Sequence, residues 1–261
     1  MDNRPVGMFD SGVGGLSVLK TFREIAPDES LVYFADTAWF PYGPRPAAEV
    51  RKRSFAITQR LMEADAKMIV VACNTASAAA IADLRDAFPV PFVGMVPGVK
   101  PAALSSHSGN VIILATEGTL DGELYSRVVE EFARGTKISA VPGVGLAELV
   151  EEGLAGSTSA KDALRAILGP GIARGADTVV LGCTHYHFLA DDIREVFPGV
   201  AIVDTSEAVA RRAVQVLEDR GMRAESGRAG TLDVIVSGDR DSFRLAMERV
   251  GFKTNAREAV A

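Results

Sequence analysis

The chain has 261 residues, 48% of them hydrophobic and 24% charged, with a formal net charge of −6. This length allows one large domain or two ordinary ones. No apolar stretch approaches the ~18 residues of a membrane span, and the acidic balance excludes a general nucleic-acid surface, which needs clustered basic side chains.

Two cysteines in a chain of this size are not a disulfide scaffold. The opening Met1-Asp2-Asn3-Arg4-Pro5 lacks a signal-peptide pattern, so a cytoplasmic protein with reduced thiols is expected. A small anionic substrate stays possible, because backbone N–H groups and hydroxyls can bind carboxylates.

Residues 6–9 read as a buried strand, Asp10-Ser11-Gly12-Val13-Gly14-Gly15 as the loop after it, and Leu16, Leu19 and Phe22 as one face of a helix. The loop departs from a dinucleotide fingerprint: its spacing is G-x-G-G, and no acidic residue follows a second strand where one is needed. Its glycines are expected to permit a tight turn and to present amide N–H groups at a helix start. Residues 31–35 form a second strand. The segment from Asp36 to Pro44 then holds three aromatics, including the single tryptophan Trp39, and two prolines. It reads either as a packed surface loop or as a rigid pocket wall.

A helix over 47–64 buries a stripe of Val50, Ser54, Ile57 and Leu61 and leaves Arg51, Lys52, Arg53 and Arg60 as a solvated basic face. Residues 68–72 are a strand running into Cys73-Asn74-Thr75. An alanine-rich helix over 76–88 follows, stopped by Phe88-Pro89-Val90-Pro91. Residues 92–95 make a fourth strand, and Val96-Pro97-Gly98 marks a boundary.

The scheme then restarts with a strand at 111–115, a loop at Thr116-Glu117-Gly118-Thr119 and a helix through Leu124, Val128, Val129 and Phe132. A strand at 138–141, a helix at 146–152 and a helix capped by Ser159 and running to 168 come next. The run Val179-Val180-Leu181-Gly182 ends at Cys183-Thr184-His185, and a helix at 189–197 and a strand at 201–204 complete the second series. A last helix from 206, a strand at 232–236 and a helix at 242–250 form a piece too small to fold alone.

The two series match in order, with the Asp10-Ser11 loop opposite Thr116-Glu117 and Cys73 opposite Cys183. The expected fold is therefore α/β: two similar α/β domains with mostly parallel sheets facing a central cleft, the carboxy-terminal segment returning to the first. The expected division is 1–97 plus 208–261, carrying Cys73, against 98–207, carrying Cys183.

A cysteine can be nucleophile, metal ligand, proton carrier or merely a small buried hydrophobe. Zinc on Cys73, Cys183 and His185 would need unusual spacing, and covalent thiol catalysis would leave one cysteine without a role. Two thiols in matched contexts suit proton transfer to and from opposite faces of a carbon, because a thiol pKa near ~8.5 allows either sulfur to act as acid or base. Asp10, Glu151 and His185 are candidate partners for such thiols, and Ser11, Asn74, Thr75 and Thr184 candidate neutral anchors for carboxylate oxygens.

Phe9-Asp10-Ser11-Gly12-Val13-Gly14-Gly15-Leu16, Pro41-Tyr42-Gly43, Ala72-Cys73-Asn74-Thr75 and Gly182-Cys183-Thr184-His185-Tyr186 together resemble the glutamate racemases of the aspartate/glutamate racemase family, in order and over nearly the whole chain. The resemblance implies cofactor-independent, metal-free interconversion of L- and D-glutamate that supplies D-glutamate for peptidoglycan. It implies that Cys73 deprotonates the D-isomer, assisted by Asp10, and Cys183 the L-isomer, assisted by His185, with Glu151 or its neighbour Glu152 as a further acid. Asp10, Ser11, Tyr42, Gly43, Asn74, Thr75, Thr184 and His185 match substrate contacts. A homodimer with no nucleic-acid or membrane partner is implied as well. Aspartate or another amino acid as substrate, or a non-catalytic protein binding an acidic metabolite, are the alternatives. Trp39-Phe40 and His187-Phe188 depart from the family pattern beside its motifs and are expected to reshape the cleft mouth.

Overall fold

The computed structural model describes residues 1–252 and the backbone of Arg257–Ala259. The first half alternates β1 (Val6–Asp10), α1 (Leu16–Ile25), β2 (Leu31–Ala35), α2 (Ala47–Glu63), β3 (Met68–Val71), α3 (Asn74–Ala87) and β4 (Phe92–Gly94). The second runs α4 (Val99–Ser105), β5 (Asn110–Ala115), α5 (Glu117–Leu120), α6 (Glu123–Phe132), β6 (Lys137–Pro142), α7 (Leu146–Glu151), α8 (Thr158–Ala173), β7 (Thr178–Gly182), α9 (Ala190–Val196) and β8 (Ala201–Val203). Helix α10 (Ser206–Asp219), β9 (Leu232–Val236), α11 (Arg240–Arg249) and β10 (Arg257–Ala259) close the described chain.

All pairings are parallel and form two sheets, ordered β10-β9-β2-β1-β3-β4 and β6-β5-β7-β8. The run β2-β1-β3-β4 and the run β6-β5-β7-β8 are the same topology used twice, so the repeat read from element order is a repeat of architecture. Strands β1, β2, β3 and β7 are buried along their whole length. Helices cover both faces of such a sheet, which is why these strands read as continuous apolar runs rather than alternating ones. The carboxy-terminal piece returns to the larger sheet, where β9 pairs with β2. Helix α10 packs on α1, with the Ser17 and Ser206 hydroxyls 3.1 Å apart. Of the segment 208–261 expected to join the first domain, residues 253–256, 260 and 261 lie outside the described residues.

Local differences from the expected elements have simple causes. Helix α3 begins at Asn74 rather than at 76, because Cys73 is the last extended residue and stands at the N-cap. Helix α8 is capped by Ser157 rather than Ser159: the Ser157 hydroxyl accepts from the Ala160 N–H, and Ser159 already lies in the first turn. The short α4 follows the boundary at 96–98, where no helix is expected, and is held by two buried residues, Val99 and Ala102.

At the amino ends of the strands, away from the cysteines, Lys67 is wholly buried and spends all three ammonium protons. It donates to Glu29 Oε2 (2.6 Å), Asp2 O (2.6 Å) and Met222 O (2.8 Å). Glu29 in turn accepts from Arg223 Nε and the Ala224 N–H. This cluster ties the amino terminus, the entries to β2 and β3 and the loop after α10 into one knot. Removing one partner of a buried pair strands the other charge. Lys67→Met is accordingly expected to lower unfolding free energy by about 3–5 kcal/mol in urea titrations; a loss below about 1 kcal/mol would show that the cluster is dispensable.

Candidate active site

In an open parallel sheet, ligands gather beyond the carboxyl ends of the strands. Here the carboxyl ends of both sheets contribute loops to one cavity that opens to solvent. Ser11 follows β1, Phe40 to Pro44 follow β2, and Cys73 and Thr75 follow β3; Thr116 follows β5, Gly143 to Glu148 follow β6, and Cys183 to Tyr186 follow β7. Cys73 and Cys183 occupy equivalent places in the repeat. Each is an extended residue just past the third strand of its half and just before a helical turn, and both are buried free thiols.

Of the residues singled out in the sequence, Ser11, Tyr42, Gly43, Cys73, Thr75, Cys183, Thr184 and His185 line this cavity. Asp10, Glu151 and Asn74 stand behind its wall. Asp10 is completely buried; Oδ1 accepts from the Gly12 N–H (2.7 Å) and Oδ2 from the Thr184 hydroxyl (3.1 Å). Glu151 Oε1 accepts from the Val13 N–H (2.7 Å) and from His185 Nε2–H (2.8 Å). A carboxylate can only accept, so His185 Nε2 carries a proton, and Nδ1 faces Cys183 Sγ at 3.8 Å. Of the two adjacent acids, Glu151 is the one whose carboxylate reaches this cluster; the Glu152 carbonyl accepts from Arg249 Nη1. Asn74 is buried with neither amide atom hydrogen-bonded within the protein.

Burial pushes the Cys73 thiol well above its usual range, and the Asp10 charge pushes the same way; N–H groups of Ala76 and Ser11 act in opposition. Burial likewise raises the Asp10 carboxyl, against the pull of His185 and the Gly12 N–H. His185 behaves differently. Burial alone would lower it, but its bonds to Cys183 and Glu151 and the charge on Asp10 together hold it well above the ordinary imidazole value. The two thiols thus have unlike surroundings. Cys73 is kept protonated by a dry, acidic neighbourhood, whereas Cys183 faces an imidazole backed by a carboxylate.

The glycine loop has a role other than the one expected from turn chemistry. None of Gly12, Gly14 and Gly15 has a positive φ. A Cβ on Gly12 would stand 1.8 Å from Glu151 Oε1, and one on Gly14 2.3 Å from Thr184 Oγ1. These positions are glycine because the other half of the molecule lies directly against them.

Two further contributors were missed in the sequence. Thr116 lines the cavity and its hydroxyl lies 2.8 Å from those of Thr75 and Thr119. The repeat would have exposed it, since Thr116 is the counterpart of the Asp10-Ser11 loop. Arg53, read as part of a solvated face, instead turns inward and forks onto buried Asp36. The departures beside the motifs also resolve. Phe40 packs on His185, ring centroids 5.4 Å apart. His187 pairs with Asp204, half exposed and not among the residues lining the cavity. Among the described residues, no three His, Cys, Asp or Glu side chains gather as a metal set would, and no helix is long and apolar enough to cross a membrane.

The family model for Asp/Glu/hydantoin racemases matches residues 15–213 of the chain. The glutamate racemase of Roseiflexus sp. (strain RS-1) is 44% identical over 250 residues, which span 95% of this chain and 92% of that protein. The crystal structure of glutamate racemase from Thermus thermophilus, in complex with β-chloro-D-alanine, is similar with a TM-score of 0.84 at 37% identity, over 100% of this chain and 98% of that one. Escherichia coli glutamate racemase, in complex with L-glutamate and the activator UDP-MurNAc-Ala, is similar with a TM-score of 0.85 at 35% identity, over 98% of each chain.

Glu151→Gln is expected to lower the pKa of His185, read from its imidazole proton shifts against pH. An unchanged titration would mean that Glu151 does not support the imidazolium. The sign for stability follows. A histidine whose folded pKa exceeds its unfolded value of about 6.5 stabilises fully below that pH and loses the contribution as pH rises through the folded value. The variant should therefore lose less stability than the parent between about pH 6.5 and the folded-state value.

Proposed function

The chain belongs to the Asp/Glu/hydantoin racemase family, and from that premise we propose that it interconverts L- and D-glutamate by a cofactor-independent two-base proton transfer between Cys73 and Cys183, supplying D-glutamate for peptidoglycan. One observation carries the reading: two thiols at equivalent positions of a repeated sheet line a single cavity from its two halves. The relatives named glutamate racemase and the L-glutamate held by the Escherichia coli protein support glutamate as substrate.

In the L-to-D direction, the His185 imidazolium, backed by Glu151 at Nε2, turns Nδ1–H toward Cys183 and supports it as a thiolate. The Cys183 thiolate then takes the α-proton, forming S–H, and the electron pair left on carbon takes the Cys73 proton from the opposite face. Cys73 ends as a thiolate, next to the Ser11 and Ala76 N–H groups that favour it. The reverse direction starts from that state, with Asp10 beside Cys73. Substrate carboxylates find no lysine or arginine in the cavity lining. They would be held by hydroxyls of Ser11, Thr75 and Thr184, by the free amide of Asn74, and by N–H groups of the Tyr42-Gly43 segment.

Proton NMR with L-glutamate in deuterated buffer, without added cofactor, is expected to show loss of the α-proton signal together with decay of optical rotation. Exchange with aspartate alone would replace the substrate; no exchange with either would favour a binding protein. Cys73→Ala and Cys183→Ala should each abolish racemisation, and full turnover in either would overturn the two-base scheme. His185→Asn should slow L-to-D turnover more than D-to-L, and Asp10→Asn the converse; equal losses in both directions would contradict the assignment of faces.

A further inference from the structure

The segment from Phe40 to Pro44 forms a continuous stretch of the cavity wall, and its shape is imposed from behind. Asp36, wholly buried at the end of β2, receives Arg53 as a fork: Nη2 donates to Oδ1 (2.5 Å) and Nε to Oδ2 (2.8 Å). The Tyr42 hydroxyl donates to the same Oδ2 at 2.5 Å. Arg53 Cζ also lies 5.5 Å from the Trp39 ring centroid, and Arg45 Cζ lies 5.0 Å from it. Arg45 Nε closes the loop by donating to the carbonyls of Trp39 (2.9 Å) and Pro41 (3.2 Å). Neither arginine lines the cavity; both turn into the loop that walls it.

We infer that Arg53, seconded by Arg45, is a positioning residue: it clamps Asp36 and Trp39 so that the Tyr42-Gly43 segment is a fixed wall for the substrate rather than a mobile lid. The inference rests on the proposed racemisation. Arg53 touches no cavity space itself and acts through Asp36 and Tyr42. A planar guanidinium can span both carboxylate oxygens and lie against an aromatic ring at once, which a lysine ammonium cannot. Its loss should therefore relax the wall that binds substrate and leave the thiols, which hang from other strands, in place.

Trp39 is the sole tryptophan, so its fluorescence reports the clamp directly. The test compares the parent protein with Arg53→Gln, Arg53→Lys and the double variant Asp36→Asn/Arg53→Met, each checked for cooperative unfolding. Glutamate racemisation and acrylamide quenching of Trp39 are the readouts. Arg53→Gln is expected to raise KM about tenfold or more, as loss of a hydrogen bond to a charged group would, with kcat changed less than about twofold and Trp39 more open to quencher. Arg53→Lys should rescue only part of both effects. The double variant removes the buried charge pair and should recover Tm but not KM. Parent-like KM and quenching in Arg53→Gln would overturn the inference, and so would parent-like KM in the double variant, which would reduce Arg53 to a counter-charge. If Arg53→Gln does not fold, the double variant decides. A parent protein that fails to racemise glutamate overturns the proposed function instead, and quenching alone then judges the clamp.

Discussion

The contact on which the rest of the structure depends is the abutment of the Gly12-Val13-Gly14 backbone against Glu151, Thr184 and His185. It joins two halves that otherwise have separate sheets. The Val13 N–H and His185 Nε2–H share one oxygen of Glu151, and Asp10 holds the Thr184 hydroxyl across the same boundary. On the other side of the cleft, the Gly118 N–H donates to the Gly43 carbonyl and Thr75 meets Thr116. The cavity is bounded by these crossing bonds as much as by either half alone. Because they end on the groups that flank the thiols, any change in how the halves approach is transmitted to the chemistry.

The electrostatics follow from the same closeness. Asp10, Cys73 and His185 are all buried, where charge is costly unless neighbours supply hydrogen bonds or opposite charge. His185 receives such support from Cys183, Glu151 and Asp10, while Cys73 receives it only from backbone N–H groups and is opposed by Asp10. Two sulfurs at equivalent places in a repeated fold thus come to have unlike neighbours, an imidazole for Cys183 and backbone N–H groups with a buried carboxyl for Cys73. That asymmetry arises from which loops happen to face each sulfur, not from the sulfurs themselves.

The periphery is built to keep that geometry fixed. At the far end of the larger sheet, Lys67 and Glu29 lock the strand entries. Near the cleft, Arg53 and Arg45 lock the aromatic segment after β2. In both places a cation is spent on internal carboxylate or carbonyl oxygens, leaving the cavity lining free of lysine and arginine.

The sequence by itself determined the elements other than the short α4 and α5, their order, the repeat and the positions of both cysteines at strand ends. Each of these rests on local patterns: continuous apolar runs for buried parallel strands, and an abrupt change to small polar residues where a strand stops. It also brought Asp10, Glu151 and His185 together as a group, through motif resemblance. Only the tertiary structure decided the orientation of Arg53, the part played by Thr116, the choice of Glu151 over Glu152, and the reason for glycine at 12 and 14. In each case the partner lies far along the chain or on a turn whose side-chain direction no periodicity specifies. Gly12 meets Glu151 across 139 positions. Arg53 sits among exposed basic neighbours on α2, and a buried carboxylate 17 residues earlier turns it inward. A helical pattern shows which face is apolar; it does not show that a long cationic side chain at the edge of that face can reach over it to an anion beneath.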